Sequence, residues 1–329
     1  MNHQGLLSIV VPVYSEEMVI PEFHSRTLNV LSGLAPMFDY EIIYVDDGSR
    51  DNSLALIQNL NSTNSRVRAI SLSRNFGHQF AISAGLDHAR GDAIITIDGD
   101  LQDPPEIIPD MVAKWREGYR VVFGVREKRR GESLVKLLTA KLFYRLIRYL
   151  SDIDLPVDAG DFRLMDRKVV DVLTAMREEN RYIRGLVSWA GFSQFGLPYW
   201  RDRRYAGKTK FSYKKMIRFG VDGILSFSDK PLKISAFVGS LMTLVSFIVA
   251  LWVVINKLLM PHMVVSGWAS MLLAVLFMGG IQLLSLGILG IYFGRQYREV
   301  KKRPLYVVAE KIGFERDSEN RCGNRDHDA

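Results

Sequence analysis

Two long stretches without a charged residue dominate the C-terminal half of the chain. Residues 234–255 form a run of 22 and residues 268–293 a run of 26. Both exceed the roughly 20 residues that a helix needs to cross a bilayer core of about 30 Å. A pair of buried helices in a soluble protein is the alternative, but two such runs side by side favour a membrane. Because only residues 256–267 separate them, the sequence predicts a transmembrane hairpin.

The charges around this hairpin predict its orientation. Basic residues lie in the 20 residues before the first run and directly after the second, whereas the connecting segment has only Lys257. By the positive-inside rule, both termini are expected in the cytoplasm. Residues 6–13 are apolar but few and include Pro12, so we expect no signal peptide. The flanking basic residues are Lys214, Lys215, Arg218, Lys230, Lys233, Arg295, Arg298, Lys301, Lys302 and Arg303.

Composition narrows the partners of the chain. Its 329 residues are enough for a large core, and its net charge is +7. The basic residues crowd near the hairpin, which favours anionic lipid headgroups over nucleic acid as their partner. Cys322 is the only cysteine, which excludes a disulfide framework and a thiolate metal site.

The first 120 residues alternate between strand-like and helix-like stretches. Such alternation predicts an α/β fold with a mostly parallel, doubly wound sheet. Ligands of such sheets bind outside the carboxyl ends of the strands. The predicted strands are 6–14, 40–49, 67–73 and 92–100, with a further one at 119–126.

Polar residues cluster where three of these strands end. Tyr14 and Glu16 follow the first, Asp46 and its neighbours the second, and Asp98, Asp100 and Asp103 the fourth. Mg²⁺ and Mn²⁺ prefer hard oxygen ligands, often one or two carboxylates plus substrate phosphates. The Asp98-Gly99-Asp100 triplet therefore predicts a divalent cation that neutralises a diphosphate leaving group. Asp47 and Ser49 have an alternative use as caps of the following helix.

Other nucleotide sites fit less well. A G-x-G-x-x-G motif is missing after the first strand, which argues against a dinucleotide fold. The stretch AGKTK at 206–210 has Asp202 where a Walker A motif needs glycine. A phosphate-receiver domain would also place acids at strand ends, but it needs neither a D-x-D motif nor a hairpin.

Five motifs in order carry a resemblance to a known family. They are SIVVPVYSEE, YVDDGSRDNS, LSRNFGHQFAISAGLDHARGD, TIDGDLQDPPE and VDAGDFRLMDR. Together with the hairpin they resemble glycosyltransferase family 2, with the GT-A fold. Within it the chain is most similar to the bacterial polyprenyl-phosphate glycosyltransferases, such as the bactoprenol glucosyltransferases. Dolichol-phosphate mannose synthases are more distant relatives.

The resemblance implies a role for each matched position. Nucleotide-sugar contacts are expected from Pro12, Tyr14, Glu16, Asp46, Asp98 and Gln102. Metal ligation is expected from Asp100, with Asp98 beside it, and phosphate contacts from Arg126, Arg203 and Lys208. The basic stretch 203–210 has the alternative of a solvated loop. Asp103 would face the sugar and acceptor.

Asp161 resembles the catalytic carboxylate of the family, with Asp158 as the second candidate. The implied acceptor is a lipid phosphate, whose second pKa is about 6. It is largely an anion near neutral pH and needs little help from a general base. We therefore expect Asp161 to position the acceptor or its residual proton.

The implied reaction moves one sugar, with glucose favoured, from a UDP-sugar to undecaprenyl phosphate with inversion, using Mg²⁺ or Mn²⁺. Two alternative functions remain. One is a processive polysaccharide synthase, whose Q-x-x-R-W motif we do not find, and the other is a non-catalytic membrane partner. Gly290 and Gly294 form a small-xxx-small pair, which would permit close packing between helices. The resemblance to the family favours a homo-oligomer, and packing within the chain is the alternative. Residues 132–150 and 212–233 are candidate interfacial helices. The expected organisation is a cytoplasmic catalytic domain at 1–211, a juxtamembrane helix at 212–233, spans at 234–255 and 268–293, an extracytoplasmic loop at 256–267 and a cytoplasmic tail at 294–329.

Overall fold

The computed structural model describes residues 5–35, 37–126, 159–200, 230–259 and 267–314. Within these ranges the strands are β1 (Gly5–Val13), β2 (Phe38–Asp46), β3 (Val67–Leu72), β4 (Ala93–Thr96), β5 (Val121–Arg126), β6 (Ala159–Asp166), β7 (Gln194–Tyr199) and β8 (Val308–Ile312). The helices are α1 (Ile20–Leu34), α2 (Ser53–Thr63), α3 (His78–His88), α4 (Ile108–Arg116), α5 (Arg167–Ala175), α6 (Ile183–Trp189), α7 (Lys230–Leu259) and α8 (Trp268–Lys301), with a 3₁₀ turn at Pro105–Ile107.

The described strands form one sheet in the order β7-β5-β6-β4-β1-β2-β3-β8. Strand β1 pairs in parallel with β2 and β4, and β2 pairs in parallel with β3. These four strands are the ones that the alternating pattern predicted, and their parallel pairing confirms it. Strands β6 and β8 run antiparallel to their neighbours, and neither was predicted.

The strand sequences explain why helices cover both faces of this sheet. Strand β1 is buried from Leu7 to Val13 without a break, as expected for a strand enclosed on both sides. Ile9 faces a core built with α1, α2 and α4. Its neighbour Val10 faces a second core built with α3, α5 and α6. The carboxyl ends of the parallel strands remain at one edge between these two layers.

Helices α7 and α8 are long and apolar enough to cross a membrane. The apolar windows are Leu232–Val249 and Phe277–Lys301, with mean hydropathies of 1.9 and 1.6, and neither window is buried within the chain. The two helices contact each other, for example where the Ser246 hydroxyl meets the Met278 sulfur at 3.7 Å. A Cβ atom added at Gly290 or Gly294 would have no neighbour within 4 Å among the described residues.

The two helices extend beyond the predicted membrane spans. Helix α7 begins at Lys230 and continues to Leu259, and α8 continues without a break to Lys301, eight residues beyond the predicted span. The candidate interfacial helix at 132–150 lies outside the described residues, as does 212–229 of the second candidate. The last part of the tail, residues 315–329, also lies outside them.

The chain returns from α8 to the sheet. Strand β8 pairs antiparallel with β3 and extends the sheet at that edge. The Tyr306 hydroxyl donates to the Asp87 carboxylate on α3 at 2.6 Å, and Arg177 meets the same oxygen at 2.7 Å. The hairpin is thereby tied to the sheet through a strand as well as through the chain before α7.

Candidate active site

The loops that follow β1 and β2 are held together by backbone-to-side-chain hydrogen bonds. The Ser15 amide donates to the Ser49 hydroxyl at 2.9 Å, and the Glu16 amide to the Ser53 hydroxyl at 3.0 Å. Ser15 has a φ of 53°, a left-handed conformation that is uncommon for a residue with a side chain. These bonds fix the position of Tyr14 and Glu16 at the edge of the sheet.

Asp46 is buried at the end of β2 and shapes the same loop. Its carboxylate accepts hydrogen bonds from the Ser49 amide at 3.1 Å and from the Ser71 hydroxyl at 3.2 Å. Only 2% of Asp46 is exposed. In this structure Asp46 orders the ends of strands β2 and β3. A nucleotide could contact it only through the small part of its surface that is exposed.

Asp47 and Gly48 hold the loop that leads into α3. The Asp47 carboxylate accepts from the amides of Phe76 at 2.7 Å and Gly77 at 2.9 Å. Gly48 has a φ of 69°, and a Cβ atom there would lie 2.6 Å from the carbonyl carbon of Arg74. The alternative that Asp47 and Ser49 cap α2 does not hold in the structure, because these side chains bind the loop before α3 and the loop after β1.

The D-x-D triplet lies directly after β4. Asp100 accepts from the Gln102 amide at 3.1 Å, and the buried Leu101 between them has a φ of 58°. A Cβ atom at Gly99 would lie 3.2 Å from a methyl group of Val11. Glycine is thus favoured at this position by close packing on β1.

Asp161 is the centre of a buried charge cluster. Its Oδ1 accepts from Nε of Arg184 at 2.8 Å and its Oδ2 from Nη2 of Arg184 at 3.0 Å. Oδ2 also lies 3.3 Å from Nε2 of His78 and 3.3 Å from Nε2 of Gln79. Burial would raise the pKa of Asp161, but Arg184 and His78 outweigh it and hold the pKa well below its usual range. Both oxygens are engaged, so this carboxylate is a poor general base.

His78 connects Asp161 to the end of β4. Its Nε2 also lies 3.3 Å from Oδ1 of Asp98. Burial lowers the pKa of His78, but Asp98 and Asp161 outweigh it and raise the pKa to about 9. Burial and the nearby carboxylates of Asp103, Asp161 and Asp100 raise the pKa of Asp98 to about 6, although His78 opposes them. The site thus concentrates negative charge at the end of β4.

Asp103 supports two neighbours instead of facing the open site. It has no exposed surface; its carboxylate accepts from the Tyr199 hydroxyl and, at 3.4 Å, from Nη2 of Arg126. Nε of Arg126 donates to the Tyr199 oxygen at 3.1 Å. The expectation that Asp103 faces the sugar is not met in this structure, because its side chain is enclosed. It orients Arg126, whose side chain is 29% exposed.

The geometry can be compared with known proteins. The model of "Glycosyl transferase family 2" matches residues 8–174. The chain belongs to glycosyltransferase family 2. This confirms the α/β fold class that the five motifs implied, and it makes the edge with Asp98, Asp100 and Asp161 the candidate active site of a glycosyltransferase.

Two curated relatives match this family 2 chain over nearly its whole length. An uncharacterized glycosyltransferase, YkcC, of Bacillus subtilis is 48% identical over 96% of this chain and 97% of its own. A prophage bactoprenol glucosyl transferase homolog of Escherichia coli is 40% identical over 92% of this chain and 98% of its own. A solved glucosyl-3-phosphoglycerate synthase of Mycobacterium tuberculosis aligns with 67% of this chain and 78% of its own, at 20% identity and a TM-score of 0.42. That last likeness is too remote to bear on the donor or the metal.

The carboxylates of this family 2 site fit a divalent cation that a substrate helps to hold. Among the described residues, no group of three His, Cys, Asp or Glu side chains is arranged to hold a metal ion by itself. Asp98 and Asp100 can supply one or two oxygens, which is what Mg²⁺ and Mn²⁺ usually take from a protein beside substrate phosphates.

The structure brings most of the predicted site residues to one edge and adds four that the sequence reasoning missed. Asp158, Arg203 and Lys208 lie outside the described residues. Pro12 is buried within β1, and Tyr14 is 36% exposed beside it. The missed residues are His78, Gln79, Arg184 and Tyr199. His78 and Gln79 stand in a quoted motif directly after the third predicted strand, and that position was a usable signal.

Proposed function

We propose that this protein transfers a single sugar, glucose in the first instance, from a UDP-sugar to undecaprenyl phosphate at the cytoplasmic face of the membrane. The products would be polyprenyl-phosphate-sugar and UDP. A relative named bactoprenol glucosyl transferase, from Shigella phage SfX, is 39% identical over 93% of this chain and 99% of its own. That likeness supports both the lipid acceptor and glucose.

The observation that carries the proposal is the joining of a glycosyltransferase sheet to an exposed apolar hairpin. Helices α7 and α8 expose large apolar side chains such as Phe237, Trp252 and Phe293, at 62–69%. A hydrocarbon environment would cover them, because burial of apolar area is favourable. An acceptor with a long hydrocarbon tail stays in the bilayer, so its enzyme must work at the surface. We propose that both termini and the catalytic domain are cytoplasmic, as the flanking basic residues predict.

The donor would bind along the ends of β1, β2 and β4. Tyr14 and Glu16 border that edge, and Asp98 and Asp100 face it from the β4 side. A divalent cation held by Asp100, with Asp98 beside it, would neutralise the diphosphate as the UDP leaves. Arg126, held by Asp103 and Tyr199, is placed to attract phosphate oxygens.

The acceptor would bind beside Asp161 and Arg184. The Arg184 side chain is 27% exposed, and its charge is suited to a phosphate anion. Because the anion needs no deprotonation near neutral pH, the engaged state of Asp161 is no obstacle. Asp161 orients Arg184 through a bidentate ion pair. Arg184 would thereby determine where the acceptor oxygen approaches the sugar. A single displacement of UDP by that oxygen inverts the anomeric centre.

The test is an assay of the full chain in lipid nanodiscs with undecaprenyl phosphate, Mg²⁺ or Mn²⁺, and a panel of labelled UDP-sugars. The expected product is a lipid carrying one sugar, greatest with UDP-glucose. Polymer would indicate the processive synthase, and absence of turnover with every donor would indicate a non-catalytic partner. Cross-linking in the same nanodiscs would test the expected homo-oligomer.

A further inference from the structure

We infer that Glu299, at the cytoplasmic end of α8, is a positioning residue for the active site, so that the membrane hairpin forms part of the catalytic scaffold. This inference rests on the proposed function for its kinetic consequence. Its structural basis is a set of hydrogen bonds that anchors residues 179–181 to the last turns of α8, just before Ile183 and Arg184 enter the active site.

The first contact joins α8 to the segment that precedes α6. Oε1 of Glu299 accepts the backbone amides of Glu179 at 2.8 Å and Asn180 at 3.3 Å. Nη2 of Arg298 donates to the Asn180 side-chain oxygen at 3.3 Å. A carboxylate that accepts two backbone amides is a strong anchor, because hydrogen bonds to charged groups are stronger than neutral ones.

The anchored segment is also fastened on its other side. Nε of the buried Arg181 donates to the Ser83 hydroxyl on α3 at 2.6 Å, and its Nη2 donates to the Leu173 carbonyl on α5 at 2.7 Å. Residues 179–181 are therefore held between α8 and the second core. Their position determines where α6 begins.

The start of α6 is part of the active site. The Ile183 amide donates to the side-chain oxygen of Gln79 at 3.0 Å, and the Gln79 amide nitrogen lies 3.3 Å from the Asp161 carboxylate. Arg184, the next residue, makes the bidentate pair with Asp161. Only two residues thus separate Asn180, which contacts Glu299, from Ile183.

Helix α8 runs unbroken from the charge-free run at 268–293 to Glu299. Its C-terminal turns touch the catalytic domain directly. A displacement of α8 would move the amides of Glu179 and Asn180, and with them Arg184. The geometry therefore places the acceptor-binding pair under the control of the helix that lies in the bilayer with the acceptor.

The experiment compares the full chain in nanodiscs with Glu299→Ala, the rescue variant Glu299→Gln and the control Glu310→Ala. Glu310 is an exposed carboxylate on β8, in the same C-terminal segment. Because each lost charge-assisted bond weakens the anchor, we expect Glu299→Ala to lower kcat about tenfold. The KM for the UDP-sugar should be unchanged, since the donor edge is not touched. Glutamine keeps an acceptor oxygen and should restore most of kcat.

Hydrogen exchange supplies a readout that needs no turnover. Glu299→Ala should speed amide exchange in residues 179–186, and Glu310→Ala should not. The inference would be overturned if Glu299→Ala left amide exchange or kcat unchanged. An equal loss of kcat in Glu310→Ala would overturn it as well. If the wild type transfers no sugar at all, the proposed function fails, and exchange over 182–186 alone then decides the positioning role.

Discussion

Arg184 and Asp161 form a bidentate ion pair across two elements, with N–O distances of 2.8 and 3.0 Å. Strand β6 supplies the carboxylate and α6 the guanidinium. The pair is reinforced by His78 and Gln79 from the start of α3. Because three elements converge on one carboxylate, its orientation is fixed before any substrate binds.

Arg184→Lys should therefore lower kcat by about a hundredfold, since misplacement by an ångström has that order of effect. Lysine keeps the charge but cannot make the bidentate pair. UDP binding, measured by calorimetry, should stay unchanged. Asp171→Asn on the exposed face of α5 serves as a control and should retain full activity. A normal kcat in the Arg184→Lys variant would show that the bidentate geometry is dispensable.

The pH dependence of the reaction should report the acceptor instead of Asp161. The pKa of Asp161 is held well below its usual range, so the residue stays ionised at every pH above its ordinary value. The rate should rise as the lipid phosphate loses its second proton near a pKa of about 6. A pH–rate profile with the soluble nucleotide at saturation measures this. A sharp fall in rate on deprotonation of the acceptor would contradict the role proposed for Asp161.

Asp100→Ala should abolish turnover and remove the effect of Mn²⁺ on UDP binding. The reason is that the cation would lose the carboxylate expected to ligate it directly. Calorimetric titration of UDP with and without Mn²⁺ measures the effect. Asp110→Asn, on the exposed side of α4, is the matched control. If the metal dependence survived in Asp100→Ala, the ligand assignment would be wrong.

The sequence alone was sufficient for the four parallel strands and for the edge that carries the site. Strands such as β1 are recognisable as short apolar runs followed by polar residues, and that is a local signal. Strand β6 was missed because it carries Asp161 and Arg163 among apolar residues. Both charges are buried, and only partners such as Arg184, distant in sequence, make that possible.

The contacts between side chains of the site were harder to predict than the residues that form it. Asp46, Asp98, Asp100 and Asp161 follow from position and motif. That Asp103 turns inward depends on Tyr199, some 96 positions later. The return of β8 to the sheet could not be predicted from a short, polar stretch after a long apolar helix, because edge pairing is a tertiary contact.

Asp166→Asn should destabilise the protein by about 1–3 kcal/mol, because a buried carboxylate with several donors is replaced. Asp166 accepts from the Trp115 indole at 2.9 Å, from Arg120 at 2.7 Å and from the Lys168 amide at 3.1 Å, where it caps α5. Burial would raise the pKa of Asp166, but these bonds outweigh it and lower the pKa. Denaturation of the full chain in detergent, followed by tryptophan fluorescence, measures the loss.

The pH dependence of this loss has a definite sign. Because the pKa of Asp166 is lowered in the folded state, its ionised carboxylate contributes fully to the free energy of unfolding above the unfolded pKa of about 3.9. This contribution is lost as the pH falls through the lower pKa of the folded state. The difference between wild type and Asp166→Asn should therefore shrink in acid. Asp39→Asn breaks an exposed pair with Arg66 and should change stability by less than about 1 kcal/mol. A difference that grew in acid would overturn the assignment.

Gly48→Ala should weaken UDP binding and activity together. Gly48 has a φ of 69°, and an added Cβ atom would lie 2.6 Å from the backbone of Arg74, which cannot move aside as a side chain would. The loop before α3 must then shift, and with it His78, which lies between Asp98 and Asp161.

Gly33→Ala is the matched control, because a Cβ atom there meets nothing within 4 Å and alanine favours the helix by about 0.5–1 kcal/mol. Calorimetry with UDP and thermal unfolding of both variants separate the two effects. We expect Gly33→Ala to bind normally and unfold at a higher temperature, and a Gly48→Ala variant that did the same would show that the close approach to Arg74 does not shape the site.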